Sequence, residues 1–291
     1  MSWRCTGIAW PQGAQLAVLG WEGGRVSPLT AGKRLGLRAE GERGCVGARG
    51  HVCPLGALVP GRTTRARCAE CARLDRAHSV AADGVPDDPR TYRVYLAWFG
   101  PGMVKVGITA EERGSARLLE QGAVVFSWLG RGPLMAARRT EELLRAALGV
   151  PDRIPYAEKR AVRAALPERA VERAAEVEEV HRRALAVGEW TQTLEPLAYE
   201  AVDHAAAFGL ERLPGAGAVV RELVDGGAVA GTLLAVAGPD LHLVDAAERH
   251  VVLDSRLLVG WSLVGAEPTA GVSVPVVDAR NDDDGVQEGL F

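Results

Sequence analysis

The clearest hydrophobic pattern lies in the middle of the chain. Two β-rich runs, Tyr92–Phe99 and Met103–Thr109, flank Gly100-Pro101-Gly102, which predicts a hairpin. The apolar run Ala123–Leu129 predicts a third strand, and Pro133–Leu148 has the spacing of a helix. A helix between the hairpin and the third strand completes the order β-β-α-β-α, which indicates an α+β core over residues 90–153.

The two faces of the predicted hairpin differ in character. If the three central residues form the loop, Tyr95 lies opposite Gly107 and Ala97 lies opposite Lys105. Side chains alternate between faces, so one face is apolar. Its members are Val94, Leu96, Trp98, Val104, Val106 and Ile108. The other face carries Arg93, Tyr95, Ala97, Lys105, Gly107 and Thr109, and the next helix places Arg113 and Arg117 four residues apart on one side. This second face predicts a site for an anionic ligand.

The remainder of the chain divides into β-rich ends and a helical stretch. Residues 1–43 contain short apolar runs broken by glycines, which predict a few strands. Within residues 154–208, Glu158–Leu166 and Glu168–Val187 predict two helices, and Leu197–Phe208 predicts a further short one. Residues 215–265 predict a small β-barrel or sandwich. Its expected strands are Val219–Val224, Ala228–Val236, Leu241–Val244, His250–Leu253 and Leu257–Leu263. The N-terminal strands are candidates to close this same β module.

Length and composition indicate a soluble globular protein with two or three modest domains. The net charge of -3 conceals an asymmetry, because residues 1–185 carry 29 Lys and Arg against 20 Asp and Glu, and residues 186–291 carry 5 against 17. A basic body favours a polyanion partner, of which nucleic acid is the usual one, although a solvated surface also accounts for such an excess. No apolar run approaches the ~18 residues that span a bilayer. The start of the chain lacks the regions of a signal peptide, so a cytoplasmic protein is expected.

Cysteine spacing predicts a metal site in residues 44–80. Five cysteines in a reducing compartment favour metal binding or free thiols over disulfides. Cys68 and Cys71 form a CxxC knuckle, and Cys45 and Cys53 complete a candidate Cys₄ structural zinc site. Unrelated thiols remain the alternative, since seven residues separate the first pair. His51 is an alternative ligand to Cys53, and His78 is a more distant one.

Several other polar residues allow two interpretations each. The fifth cysteine, Cys5, is expected to be a buried thiol. His242 and His250 are expected to be surface or packing residues. The arginines around the knuckle either touch phosphates or keep the loop soluble; they are Arg62, Arg65, Arg67 and Arg73. The cations Lys159, Arg160 and Arg163 either extend the basic surface or form a solvated helix face.

The central motif resembles the core of GIY-YIG nucleases, in a variant found in a bacterial family of unknown function. The matching letters are VYL, KVGIT, two arginines and QGA, within about Tyr92–Arg153. The resemblance implies that Tyr95 helps to deprotonate an attacking water and that Arg117 supports the phosphate. It implies one divalent metal, Mg²⁺ or Mn²⁺, on a glutamate of the later helix. That glutamate is Glu141, with Glu142 as a close rival. The family also carries a cysteine-rich segment before the core.

One residue departs from the nuclease pattern. Lys105 stands where the second tyrosine of the motif is expected, so the resemblance implies the fold more directly than the chemistry. The first function class is therefore a metal-dependent DNA endonuclease, in which Lys105 neutralises the phosphate or lowers the pKa of Tyr95. The second is a nucleic-acid-binding protein without catalysis, and a third is a protein that binds another anion such as a nucleotide.

The last residues carry a separate signal. Ala279–Gly285 is polar and rich in aspartate, which predicts a disordered acidic tail over residues 279–291. Gln287, Leu290 and Phe291 resemble the QxxLF peptide with which bacterial DNA-processing proteins bind the replication sliding clamp. The alternative is that the C-terminal residues pack onto the β module of the same chain.

Overall fold

Two sheets dominate the computed structural model, which describes residues 2–77, 88–211 and 213–279 of the 291-residue chain. A ten-stranded sheet combines strands from both ends of the described chain, and a five-stranded sheet lies between them in sequence. The longer helices pack on the five-stranded sheet. The predicted α+β class is confirmed.

The N-terminal part is β-rich, as predicted. Its strands are β1 (Trp3–Ala9), β2 (Val18–Trp21), β3 (Val26–Pro28) and β4 (Arg34–Glu40). The cysteine-rich stretch that follows holds only isolated bridges, from Gly44 to Leu58 and from Ala48 to His51. It ends in helix α1 (Ala69–Ala77). Cys5 is fully buried, and burial raises the pKa of its thiol to about 11.

The core follows the predicted order of elements. It consists of β5 (Thr91–Trp98), β6 (Val104–Ala110), α2 (Ala116–Gln121), β7 (Val125–Pro133) and α3 (Leu134–Leu148). In the β5–β6 hairpin, Tyr95 pairs with Gly107 and Ala97 pairs with Lys105, so the predicted register is confirmed. Strand β5 is central, with β6 on one side and β7 on the other.

Both faces of the hairpin are covered, which the sequence did not indicate. The predicted apolar face packs against α3 and the later helix of residues 170–187. The opposite face, expected to be open to ligand, is buried at Tyr95, Lys105 and Thr109. Its cover consists of Leu118 from α2 together with Ile154, which follows the core. The apolar residues of this second layer lie far from the hairpin in sequence, so the hairpin pattern alone does not reveal them.

Two of the three helices predicted after the core are present. They are α4 (Tyr156–Val162) and α5 (Ala170–Val187). The helix predicted over Leu197–Phe208 is wrong for most of its length. That stretch follows β8 (Glu195–Pro196) directly. It holds β9 (Val202–Asp203) and then the single turn α6 (Ala205–Phe208). Pairing explains the difference, because β8 and β9 satisfy the backbone groups on the outer side of β7.

The C-terminal strands complete the ten-stranded sheet. They are β10 (Ala218–Val220), β11 (Ala228–Ala237), β12 (Asp240–Val244), β13 (His250–Asp254), β14 (Ser262–Gly265) and β15 (Val276–Asp278). The run predicted as one strand over Leu257–Leu263 is instead the end of a 3₁₀ turn and the start of β14, because the carboxylate of Asp254 caps that turn. The strand order is β15-β10-β13-β12-β11-β4-β14-β1-β2-β3. The N-terminal strands therefore join the C-terminal β module, as the sequence suggested.

Two glycines bring the core and the ten-stranded sheet into backbone contact. Gly122 ends α2 and Gly238 lies in the β11–β12 turn, and both have positive φ. A Cβ at Gly238 would lie 2.8 Å from the backbone nitrogen of Gly122. Only glycine allows so close an approach in this conformation. The contact holds α2 against the large sheet and so positions the side chains of α2.

Candidate functional site

Four cysteines form the first candidate site. The sulfurs of Cys45, Cys53, Cys68 and Cys71 all lie within 4.8 Å of one another. The Cys53 and Cys68 sulfurs are 3.9 Å apart. Four thiolates around one tetrahedral ion at about 2.3 Å have sulfurs about 3.8 Å apart, so the cluster has the dimensions of a metal centre. His51 is exposed and is not part of this group. His78 lies outside the described residues.

The chemistry of the sulfurs also fits a cation. The amide of Ala57 is the main cause that lowers the pKa of Cys53 to about 6. Burial and the neighbouring thiols raise the pKa of Cys71 to about 12. Backbone amides of Gly47 and Cys68 also point at the Cys45 sulfur, at 3.3 and 3.2 Å. Four thiols this close resist joint deprotonation, and a bound divalent ion removes that repulsion.

The CxxC pair lies at the start of a helix. Cys68 immediately precedes α1 and Cys71 lies in its first turn. Among the nearby arginines, Arg73 pairs with Glu70 on the helix surface. Arg67 donates to the Gly47 carbonyl and pairs with Asp75 at 3.4 Å, so it connects the two halves of the cysteine-rich stretch.

The second candidate site is centred on Tyr95. Its ring lies against Gly107, where an added Cβ would be 2.3 Å from the phenol oxygen. Gln121 at the end of α2 donates to that oxygen at 2.9 Å. Lys105 lies with its ammonium 5.7 Å from the ring centroid and donates to the Asp152 carbonyl at 3.1 Å. The predicted pair of a tyrosine and a bare glycine therefore forms a packed unit that keeps the phenol in one position.

Arg117 and Glu141 act on the same two groups through their charges. Burial raises the pKa of Tyr95, the Gln121 hydrogen bond and the Arg117 charge lower it, and Glu141 raises it. Burial and the charge of Arg117 lower the pKa of Lys105 to about 8, and Glu141 acts in the opposite direction. Tyr95, Lys105, Arg117 and Glu141 thus interact as one unit, here called the Tyr95 cluster.

Glu141 is distinguished from its rival by its surroundings. Its side chain is half-buried, and burial and Asp152 raise its pKa, whereas Lys105 lowers it. Glu142 is exposed. A half-buried carboxylate with a raised pKa is the kind of group that a divalent cation stabilises in its charged form.

Three other predicted residues have local partners. Arg93 pairs with Glu111 at 2.6 Å and its guanidinium lies 5.0 Å from the Trp128 ring. Arg113 pairs with Glu120 at 2.7 Å. Thr109 is buried within β6. Arg93 and Arg113 are therefore ion-paired and Thr109 is buried, and their role in ligand binding stays a prediction.

An open cleft lies where the cysteine-rich stretch, the core and the ten-stranded sheet meet. Its volume is about 470 Å³. Four lining side chains are arginines, namely Arg65, Arg67, Arg117 and Arg256. The single carboxylate among the lining residues is Glu120. We call this surface the arginine cleft. It was not anticipated, because its arginines come from three separate parts of the chain.

Lys159 and Arg163 are buried and the Arg160 side chain is only 12% exposed, so both interpretations of these cations as surface groups are wrong. Arg160 and Arg163 reach the carboxylate of Asp240 at 2.8 and 2.5 Å. His242 and His250 are buried beside them and are bonded to each other at 3.0 Å. Burial and the charge of Arg163 hold the pKa of His242 well below its usual value, so this ring stays neutral. The cluster joins α4 to β12 and β13.

Lys159 is a residue whose role the sequence did not reveal. It is buried between the rings of Phe99 and Tyr156, at 3.8 and 4.4 Å from their centroids. It donates to the Gln121 carbonyl at 3.1 Å, and burial lowers its pKa to about 6. The available signal was composition: the chain has three lysines among 34 Lys and Arg, and two of the three are buried beside Tyr95 and Gln121.

Comparison with known proteins places the chain in a family. The family model described as "Protein of unknown function (DUF2797)" matches residues 32–263. The chain belongs to this family. The DUF2797 match begins before β4 and ends within β14, so it includes the four cysteines, the Tyr95 cluster and the Arg160–Asp240 contact. The chain has no significant match among curated proteins or solved structures. A family of unknown function was expected from the sequence, and the GIY-YIG core stays a prediction.

Two further sequence predictions concern the ends and the location of the chain. Gln287, Leu290 and Phe291 lie outside the described residues. Within residues 2–77, 88–211 and 213–279, no helix combines the length and the apolar character needed to cross a bilayer.

Proposed function

We propose that this DUF2797 protein processes nucleic acid as a metal-dependent endonuclease of the GIY-YIG type acting on DNA. The observation that carries the proposal is the double placement of Arg117. Its charge acts on Tyr95 and Lys105, and its side chain also lines the arginine cleft. A phosphodiester bound in the cleft would therefore reach the group that the nuclease resemblance assigns to phosphate binding.

The residues of the Tyr95 cluster have distinct roles in this proposal. The phenol oxygen accepts a hydrogen bond from Gln121, and burial raises its pKa, so Tyr95 keeps its proton. It is therefore suited to donate a hydrogen bond to the phosphate or to orient the attacking water. Lys105 and Arg117 neutralise negative charge that develops on the phosphate. Mg²⁺ or Mn²⁺ held by Glu141 would supply further charge stabilisation when bound.

We also propose that the ion held by the four cysteines is zinc and that its role is structural. All four ligand positions are thiolates, which leaves none for water or substrate. The segment has a small core of its own, formed by Cys45, Ala48, Val59 and Cys71. Metal binding would therefore contribute much of its folding energy.

Substitutions in the Tyr95 cluster test the hydrolytic function. We expect Tyr95→Phe, Arg117→Ala and Glu141→Gln each to slow metal-dependent cleavage of branched DNA with a single-stranded arm by about 100-fold or more, because each removes one group that stabilises charge at the phosphate. The measurement is the single-turnover cleavage rate with Mg²⁺ or Mn²⁺.

The chain provides matched controls for two of these variants. Glu142→Gln changes the exposed neighbour of Glu141, and Arg113→Ala changes an arginine four residues before Arg117 that also pairs with Glu120. Both should keep cleavage within about threefold of the natural protein. Absence of cleavage on every DNA tested with either metal would contradict the nuclease proposal.

The pH dependence of cleavage tests the role of Lys105. Burial lowers its pKa to about 8, so the side chain is cationic below that pH and becomes neutral above it. We expect the cleavage rate to fall as pH rises through about 8. In Lys105→Arg, whose guanidinium stays charged, that decline should move to higher pH. An unchanged profile in the variant would show that Lys105 does not set it.

The second candidate function is nucleic-acid binding without hydrolysis. It is favoured by the burial of Tyr95, of which only 2% is exposed, and by a lysine in place of the second tyrosine of the nuclease motif. On this hypothesis binding is salt-dependent and Tyr95→Phe has little effect on it. Binding without cleavage would therefore select the second function.

The C-terminal peptide gives a proposed partner. Gln287, Leu290 and Phe291 would bind the bacterial sliding clamp, with the two apolar side chains in a pocket and the glutamine bonded beside it. This stays a prediction from the residues alone.

A further inference from the structure

We infer that the arginine cleft binds a single strand of nucleic acid and excludes the duplex. This inference rests on the proposed function and specifies its substrate. The bound nucleic acid would contact three parts of the chain. Arg65 and Arg67 come from the cysteine-rich stretch, Arg117 from the core and Arg256 from the part of the chain that forms the ten-stranded sheet.

The charge of the cleft favours a phosphate backbone. Four arginines line the cleft beside one lining carboxylate, that of Glu120. Three of them have a carboxylate partner, since Arg117 pairs with Glu120, Arg67 with Asp75 and Arg256 with Asp254, at 3.6, 3.4 and 2.5 Å. Arg65 is exposed and enters no ion pair among the described residues. A single strand bound in such a groove places successive phosphates near successive cations.

The volume of the cleft suits a single strand of nucleic acid and not a duplex. Its volume of about 470 Å³ lies within the range of about 300–1,000 Å³ typical of small-ligand sites. A duplex does not fit a site of that volume, because it carries two backbones separated by a major groove about 12 Å across. A duplex therefore contacts only the rim of the cleft, while a nucleotide or two of a single strand can enter it.

Arg256 supplies a surface for a base. Its guanidinium lies over the Tyr156 ring at 4.3 Å, and two hydrogen bonds to the Asp254 carboxylate fix its plane. The Lys159 ammonium also lies over this ring, 4.4 Å from its centroid. Arg256 lines the cleft and 36% of its side chain is exposed, so its guanidinium can stack on a base, as such groups do in complexes with single strands.

Charge reversal at Arg65 tests the inference. We expect Arg65→Glu to weaken binding of a fluorescent single-stranded DNA 12-mer by about tenfold and to reduce the salt dependence of that binding by about 0.7 in slope, the value for one phosphate contact. The natural full-length protein should bind the single strand at least tenfold more tightly than the blunt duplex of the same sequence. The measurement is fluorescence anisotropy over a range of KCl concentrations.

The matched control is Arg62→Glu. This arginine lies three residues from Arg65 in the same segment, is exposed, and does not line the cleft. The affinity of Arg62→Glu for the single-stranded 12-mer should be within twofold of that of the natural protein. Metal content of both variants, compared with the natural protein, shows that the segment is folded.

The outcomes separate this inference from the proposed function. Equal binding by Arg65→Glu and Arg62→Glu, or duplex binding as tight as that of the single strand, would overturn the inference even if DNA is cleaved. Single-strand binding lost in Arg65→Glu alone supports it even if no cleavage occurs. A parallel RNA 12-mer distinguishes the two sources of the phosphodiester, and preference for RNA would leave the inference standing while removing DNA from the proposed function.

Discussion

Replacing Asp240 with asparagine is expected to lower the free energy of unfolding by about 3–5 kcal/mol. The carboxylate is fully buried and pairs with Arg160 and Arg163. Without its charge, Arg163 would remain buried as an uncompensated cation, and one of its nitrogens, Nη2, already lacks a partner among the described residues. Urea denaturation followed by fluorescence measures the change.

Glu195→Gln is the matched control for Asp240→Asn. Glu195 pairs with Arg131 at 2.6 Å, a similar distance, but both side chains are well exposed. Surface pairs contribute at most about 1 kcal/mol, so Glu195→Gln should lower the free energy of unfolding by no more than that. Equal losses in the two variants would contradict the role assigned to the buried cluster.

The same carboxylate should make stability depend on pH. Burial alone would raise the pKa of Asp240, but the charges of Arg160 and Arg163 outweigh it and hold the pKa below its usual value. A carboxylate with a lowered pKa stabilises the fold above its unfolded pKa of about 4, and this contribution is lost as pH falls toward the folded pKa. Asp240→Asn should remove that part of the acid sensitivity.

Replacing Cys68 with serine should abolish metal binding and unfold the cysteine segment. The four sulfurs are close enough to one another to hold one metal ion per chain. Structural zinc contributes about 10–16 kcal/mol in small metal-dependent folds, so loss of one ligand removes most of the stabilisation of this segment. Native mass spectrometry measures the bound metal, and limited trypsin digestion reports cleavage after Arg62 and Arg65.

Cys5 provides the control for the metal experiment. It is buried in the main core and is not part of the cysteine group. Cys5→Ala should keep one metal ion per chain and leave the segment resistant to trypsin. A metal ion retained in Cys68→Ser would be evidence against the Cys₄ site.

Local pattern predicted the centre of the molecule well. Alternation fixed the faces of β5 and β6, and the Gly-Pro-Gly turn fixed their register, because both depend on neighbours within a few residues. Cysteine spacing likewise brought the correct four thiols together, although half of the group comes from outside the CxxC pair.

Long-range packing accounts for what the sequence did not predict. The pattern of Lys159, Arg160 and Arg163 is that of a solvated helix face. In the structure Lys159 and Arg163 are buried and Arg160 is mostly covered, against partners at residues 99–121 and 240–254. A residue such as Arg163 is compatible with burial only if an acid lies opposite it, and that acid is 77 residues away. The arginine cleft was missed for the same reason, since no single segment carries it.

The ten-stranded sheet determines when different parts of the protein can fold during synthesis. Strand β4 lies between β11 and β14, so its neighbours leave the ribosome roughly two hundred residues later. Such distant pairing is slow and entropically costly. The intervening core has its partners close in sequence and can form first. The nascent chain would therefore expose both edges of β4, and the edge of β1 that pairs with β14, until the final third is made, and during that interval aggregation is the main risk.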